Sequence, residues 1–345
     1  MELQIKAQKQ KYPVIVESGA FRRLGVYLNG LAPMRWAVVA DENVAAAYGG
    51  NAVAQLQQEG LAAKLVTISA GEEHKTLATY ETLCRSLLQD GFSRGDGIVA
   101  LGGGMTGDVA GFAAATLLRG VTLVQVPTSL LAQVDSAVGG KVGVDVPEGK
   151  NLLGAFYPPR MVIVDPELLQ TLPRRQFHSG TAEVIKYGLI ADEEILPQLA
   201  ADHPNWERLI GRCLSIKKDL VEADEEDRGA RHILNFGHTF GHIYEAAGAY
   251  REYTHGEAVA AGMAQILRWQ EISGLGGETV YGRLLPLLEK YELPSEIPCD
   301  RETCEAYLKR DKKAQGQRIN VVTVTEVGNA EVMSVSMDKL LEVAL

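Results

Sequence analysis

Aromatic residues make up only 6% of this 345-residue chain, and cysteine is scarce, with four residues at positions 84, 213, 299 and 304. No CxxC pair occurs among them, so the pattern is not that of a disulfide framework. Neither an N-terminal secretory signal nor a run of eighteen apolar residues is present, and the expectation is a soluble, cytoplasmic protein. Excess positive charge is also missing. A formal net charge of −10 argues against non-specific binding to nucleic acid or to an anionic membrane, both of which need a basic surface. An anionic small molecule then has to be met by a local cluster of Lys and Arg. What the chain does have is 46% hydrophobic residues and 36 glycines, enough for a large core and many tight turns. That balance suits an α/β enzyme of two domains.

Along the first half, strand-like and helix-like segments alternate. Residues 2–7 and 12–16 read as a hairpin, and later apolar runs fall at Arg35–Ala40, Lys64–Ser69, Gly97–Leu101, Thr122–Val126 and Met161–Val164. Helical patterns lie between them at 43–59, 76–90, 107–118 and 129–139. This rhythm predicts a Rossmann-like, mainly parallel sheet with helices on both faces. Beyond Asp165-Pro166 amphipathic helical patterns take over, at 179–190, 205–224, 254–273, 278–291 and 301–309, with one late strand at Ile319–Thr325. We place an α/β domain at residues 1–170 and a mainly α-helical domain at 171–345.

Gly102, Gly104 and Gly107 satisfy G-x-G-x-x-G between a strand and a helix start. Such a turn lets the backbone approach a pyrophosphate, whose charge the helix N-terminus stabilises. The acidic ribose anchor expected about twenty residues on is missing, so this is no ordinary dinucleotide fingerprint. Three of the seven histidines, His238, His242 and His255, fall within eighteen residues. Were 231–242 one helix, Arg231, Asn235, His238 and His242 would share an inward face that normally carries Leu and Val. Polar groups there are costly without a ligand, and a divalent metal fits histidines so spaced. Thr254 and Glu257 form a capping-box pattern that starts a helix at His255, whose positive end should keep the imidazole neutral. Glu183, in an otherwise uncharged segment with Lys186 three residues on, is the best carboxylate partner. Lys217 interrupts an apolar stripe formed by Trp206, Ile210, Cys213 and Leu220, while Lys141 and Lys150-Asn151 sit in glycine-rich loops suited to a phosphate.

Taken together, these motifs make the chain similar to the 3-dehydroquinate synthase family. The resemblance runs through Gly71-Glu-Glu-His-Lys75, Gly102-Gly-Gly-Met-Thr-Gly-Asp108, Pro127-Thr-Ser-Leu-Leu-Ala-Gln-Val-Asp135, Gly139-Gly-Lys141 and Gly149-Lys-Asn-Leu-Leu-Gly-Ala-Phe156. It continues through Ala182-Glu-Val-Ile-Lys186, Leu234-Asn-Phe-Gly-His-Thr-Phe-Gly-His242, His255-Gly-Glu-Ala-Val259 and Asp311-Lys-Lys313. Ser129 stands where the family usually has a second Thr, and Val142 and Asp145 where Thr and Asn are common.

The resemblance implies an NAD- and divalent-metal-dependent (Zn or Co) carbon–oxygen lyase of the shikimate route to aromatic amino acids, acting as a homodimer. Its substrate would be 3-deoxy-D-arabino-heptulosonate 7-phosphate. The reaction would run through transient oxidation by NAD, β-elimination of phosphate, reduction, ring opening and an intramolecular aldol closure to 3-dehydroquinate. Carried over by position, the metal ligands would be Glu183, His238 and His255, leaving His242 on the substrate side. The dinucleotide would meet Asp41, Asn43, Gly71, Glu72, Lys75, Gly103, Gly104, Gly107, Asp108, Thr128, Ser129 and Thr171, with Lys141 and Lys150 near both ligands. Substrate would meet Arg119, Asp135, Lys141, Asn151, Lys186, Lys217, Arg231, Asn235, His242 and Lys312 or Lys313. The alternatives are another sugar-phosphate cyclase or a metal-dependent polyol dehydrogenase, the latter releasing NADH.

Overall fold

A computed structural model describes residues 1–7, 10–248, 251–308, 314–315 and 317–342. Two compact units emerge: Met1–Pro173 with Trp206–Glu226, and Arg174–Asn205 with Asp227–Leu345. Among the described residues no helix is long and apolar enough to cross a membrane.

The first unit is built on nine strands: β1 (Glu2–Lys6), β2 (Lys11–Val16), β3 (Arg35–Asp41), β4 (Ala62–Ile68), β5 (Gly97–Gly102), β6 (Thr122–Pro127), β7 (Lys141–Val146), β8 (Gly149–Phe156) and β9 (Met161–Val164). Seven of them form one sheet in the order β1-β2-β9-β6-β5-β3-β4. All its pairings are parallel except the β1–β2 hairpin at the edge. β3 and β5 read as near-continuous apolar runs because both their faces are covered. Alternate residues feed opposite cores. Val38, Ala40, Val99 and Leu101 pack with Phe21, Leu24 and Leu56, while Ala37, Val39, Ile98 and Ala100 pack with Leu83, Leu87, Val109 and Ala113. Helix Trp206–Ala223 lies against β1 and β2. From it the Glu222 carboxylate accepts the Lys6 backbone N–H at 2.8 Å, giving a partner to an edge strand that would otherwise be open to another chain.

Two sequence expectations change here. The glycine-rich stretch holding Lys141, Lys150 and Asn151 is not loop but the antiparallel β7–β8 hairpin. Val142 and Val144 do alternate in β7, but glycines and an exposed β8 weaken the strand signal. The helix expected at 129–139 is shorter, its helical residues running over 130–136.

The second unit is mainly helical, with helices Arg174–Ile190, Ile195–Ala200, His238–Ala247, His255–Ile272, Glu278–Lys290, Arg301–Leu308 and Met337–Leu341. It also carries a sheet of β10 (Ala314–Gln315), β11 (Arg318–Glu326) and β12 (Asn329–Ser336), where only one strand was expected. His255–Ile272 is the central helix. Its Gly256 has no room for a Cβ, which would collide with the Ser179 carbonyl, and Gly262 is blocked in the same way by the Gly237 carbonyl. These contacts bring helices Arg174–Ile190 and His238–Ala247 to backbone distance from it. Gln270 extends the packing to β11, exchanging hydrogen bonds of 3.1 Å with the Val324 N–H and carbonyl.

Candidate active site

In the parallel sheet the chain leaves β3 for β4 on one side and returns to β5 on the other, so β3 and β5 flank a topological switch point. Ligands of open α/β sheets bind beyond the carboxyl ends of the strands at such a point. Asp41 ends β3, and Gly103 and Gly104 follow β5. Asp41 is tied to the glycine turn through the Thr106 hydroxyl, which donates to it at 3.2 Å, and it caps residues Asn43 and Val44. Helix Gly104–Thr116 starts at Gly103 with no side-chain cap, and its terminal N–H groups can serve an anion. Gly71 and Glu72 follow β4, and Thr128 and Ser129 follow β6. Thr171 meets the helical segment that follows β3, its hydroxyl 2.7 Å from that of Tyr48.

One cluster ties the turn after β4 to the helix after β5 and to the β7–β8 hairpin. Lys75, buried, donates to Asp108 and to Asn151, each at 2.6 Å, and stands 4.0 Å from Glu72. Burial works against its charge, yet the Asp108 and Glu72 carboxylates outweigh that and hold the ammonium protonated. Lys150 lies 3.9 Å from Glu72. Asn151 has a left-handed backbone, φ 54°, and the Asp145 carboxylate fixes it by accepting its N–H at 2.7 Å. The unusual Asp145 thus has a structural task.

Lys217 does not snorkel to solvent from its stripe. It is buried, and its ammonium donates to the Asp135 carboxylate at 2.7 Å and to the Asp135 carbonyl. Lys141 opens β7 on an exposed face. Arg119 stands apart within this unit. It lies in the turn before β6, at the end of the sheet opposite Gly103, where it and Leu118 both have positive φ.

In the second unit the expected single stripe from Arg231 to His242 is broken. A short 3₁₀ turn, Ala230–Asn235, ends at Phe236, and Gly237 takes a left-handed φ of 79° before helix His238–Ala247 begins. The break requires glycine: a Cβ on Gly237 would press into the backbone of Val259 and Met263. Arg231 is buried in the turn, and Asn235 ends it.

Glu183, His238 and His255 come together, with one ligand atom from each lying within 4.8 Å of the others. Glu183 Oε1 is 3.6 Å from His238 Nε2 and 3.4 Å from His255 Nε2, while Oε2 meets Lys186. His238 Nδ1 is 3.1 Å from the Phe236 carbonyl, which can only accept. The proton therefore belongs on Nδ1 and the lone pair on Nε2, facing the cluster. Burial, with the charges of Lys186, His255 and His242, pushes the His238 pKa well down and keeps that lone pair available. One carboxylate and two imidazoles form the open O/N set of a catalytic Zn-type ion, so the donors fit a divalent metal. His242 is outside the cluster, exposed, its ring 5.6 Å from that of His238.

His255 departs from expectation. The capping box forms, with Thr254 accepting the Glu257 N–H and Glu257 the Thr254 N–H. Burial also opposes the imidazolium, but contacts with the Glu183 and Glu245 carboxylates overcome it and push the pKa up to about 10. Two full charges at contact distance outweigh the partial charge of a helix end. Sequence reasoning missed Glu245, a buried carboxylate 3.6 Å from His255 Nδ1. The signal was present: an acid seven residues after His238, on the apolar side of the same helix. Lys312 and Lys313 lie outside the described residues.

The profile of the 3-dehydroquinate synthase N-terminal family matches residues 65–179, and that of the C-terminal family matches residues 180–314. A 3-dehydroquinate synthase of Symbiobacterium thermophilum is 44% identical over 337 residues, covering 94% of each chain. Among solved structures, a 2-deoxy-scyllo-inosose synthase complexed with carbaglucose-6-phosphate, NAD+ and Co2+ superposes with a TM-score of 0.90 at 28% identity, covering 100% of this chain and 99% of that one. The 2-epi-5-epi-valiolone synthase of Streptomyces hygroscopicus subsp. jinggangensis 5008, bound to NAD+ and Zn2+, gives 0.89 at 27% identity, covering 99% of this chain and 98% of that one. With both halves matched and the relative aligned almost end to end, the chain belongs to the 3-dehydroquinate synthase family.

Proposed function

We propose that this chain converts 3-deoxy-D-arabino-heptulosonate 7-phosphate to 3-dehydroquinate and phosphate, using NAD and a divalent metal. The observation that carries the reading is the Glu183–His238–His255 cluster with Lys186 against its carboxylate, in a chain of this family. When bound, the metal would polarise the substrate hydroxyls, and NAD would take up a hydride and return it. Glu183, His238 and His255 would hold the metal. The turns after β3, β4, β5 and β6 would hold the dinucleotide, with Lys75 and Asp108 fixing the turn after β4 against the helix after β5.

The residues treat the substrate according to charge. Arg231, Lys186, Lys217, Lys141 and Asn151 would orient its carboxylate, hydroxyls and phosphate, an electrostatic contribution worth several kcal/mol. His242, exposed at one side of His238, would carry the proton of the hydroxyl that is oxidised. The same reading includes a cytoplasmic homodimer, whose stoichiometry light scattering on the purified protein would give.

The deciding assay follows phosphate release from the heptulosonate phosphate with and without chelator and NAD. Release that needs both ligands, without NADH build-up, supports the proposal, and magnetic resonance of the product would separate it from a cyclase making another ring. Stoichiometric NADH formation from glycerol would point instead to a polyol dehydrogenase.

A further inference from the structure

Cys299 and Cys304 flank the start of helix Arg301–Leu308. Asp300 caps that start: its Oδ1 accepts the Thr303 N–H at 2.8 Å and its Oδ2 the Thr303 hydroxyl at 2.7 Å. With Asp300 as the cap, Cys299 precedes it and Cys304 is the fourth helical residue. Those two positions ordinarily carry the pair of apolar side chains that staple a helix start. In this chain both members of the staple are thiols. Their sulfurs are 3.0 Å apart, with Cys304 donating to Cys299. Cys304 is buried and Cys299 half-buried, so one sulfur is reachable from solvent and the other waits beneath it.

We propose that Cys299 and Cys304 are a modification site, closing to a reversible intramolecular disulfide on exposure to a hydroperoxide. Cys299, the accessible sulfur, attacks the peroxide oxygen and becomes a sulfenic acid as the O–O bond breaks and an alcohol, or water from hydrogen peroxide, departs. Cys304 then gives up its proton and displaces the sulfenic oxygen as water, forming the S–S bond. Two thiols and one hydroperoxide thus yield one disulfide, one alcohol and one water, each sulfur giving up one electron to the peroxide bond. Bonding brings the sulfurs to about 2.05 Å, a movement of roughly 1 Å that side-chain rotation can supply. Burial pushes both thiols up in pKa, so the reactive thiolate is scarce and the closure slow. The bond would fix the angle at which the chain joins helix Arg301–Leu308, which packs on His238–Ala247 and ends four residues before Lys312.

The test uses the full chain treated with hydrogen peroxide, then alkylated, digested with trypsin and mapped by mass. Cleavage after Arg301 separates the two cysteines unless they are bonded. Expected is a Cys299–Cys304 linked peptide pair, the loss of two of the four alkylatable thiols, and their full return with dithiothreitol. The Cys299→Ser protein should give no linked pair and retain Cys304 as a thiol. A sulfinic acid on Cys299 beside a reduced Cys304 would overturn the proposal. So would linkage that appears only after denaturation, or a bond joining Cys299 of two chains.

Discussion

Glu183 spends its two oxygens differently, one on Lys186 and one toward the imidazoles of His238 and His255. That division leaves one oxygen facing the imidazoles while keeping a buried carboxylate compensated. Glu245 does the corresponding work for His255: contact at Nδ1 leaves Nε2 aimed at the cluster. The Glu245→Gln protein should lose about tenfold in metal affinity, read by competition with a chromophoric chelator; equal affinity would remove Glu245 from the site. For His242 the expectation separates chemistry from binding. His242→Ala should cut turnover by about a hundredfold or more while the metal content of the protein stays at the wild-type level. Loss of metal in proportion to activity would make it a ligand. None of this was legible as spacing. His238 and His242 look like a ligand pair at i and i+4, with His255 and Glu183 as further candidates, and only the resemblance took His242 out of the set. The fold brings that about by breaking the chain at Gly237 and returning it, one helix later, to the same point.

The capping box at Thr254 shows what a local device contributes to chemistry. It fixes the first turn of helix His255–Ile272 and therefore the backbone that carries His255. Thr254→Ala should cost about 1 kcal/mol in urea unfolding and should also weaken metal binding, because the proposed ligand His255 sits in the turn being frayed. Glu257, the other half of the box, also pairs with Arg175. Burial raises its pKa, but the bonds from Arg175 and Thr254 outweigh this and hold it below the ordinary 4.5. Being lowered in the folded state, it contributes fully above pH 4.5 and loses that contribution as pH falls through its folded value. Acid titration of the Glu257→Gln protein should therefore show a shallower loss of stability below pH 4.5 than the parent; identical curves would deny the pair any role. Elements were most legible where the apolar pattern was unbroken, as in the continuous runs of β3 and β5 and in helix His255–Ile272. The β7–β8 hairpin was not, because glycine carries no side chain from which a period of two can be read.

At the scale of the molecule, the mainly parallel sheet followed from the alternation of apolar runs and helical patterns, and the helical second half from its amphipathic patterns, while the glycine turn alone left a dinucleotide open until the resemblance implied one. The strand order did not follow. It depends on which edges pair in space, and only the sheet reveals β3 and β5 as the switch point that gathers Asp41 and Gly103. Because the proposed metal donors come from separate helices of a folded unit, metal should bind the native state and not the unfolded chain. Added at a hundred times its dissociation constant, Zn or Co should then raise stability by about 2.7 kcal/mol. Thermal unfolding of chelated and reloaded protein measures this, and an unchanged midpoint would argue against a native metal centre.

Helix Trp206–Ala223 belongs with the first sheet although the segment Arg174–Asn205 of the other unit precedes it. On the ribosome, then, residues 1–173 emerge without the strip that covers β1 and β2 and without the ammonium that meets Asp135. The nascent sheet has to wait, its edge exposed, while a piece of the other unit is synthesised first. Chaperone occupancy during that interval, and the failure of simple truncation at residue 173 to give a well-behaved fragment, are what such interleaving entails.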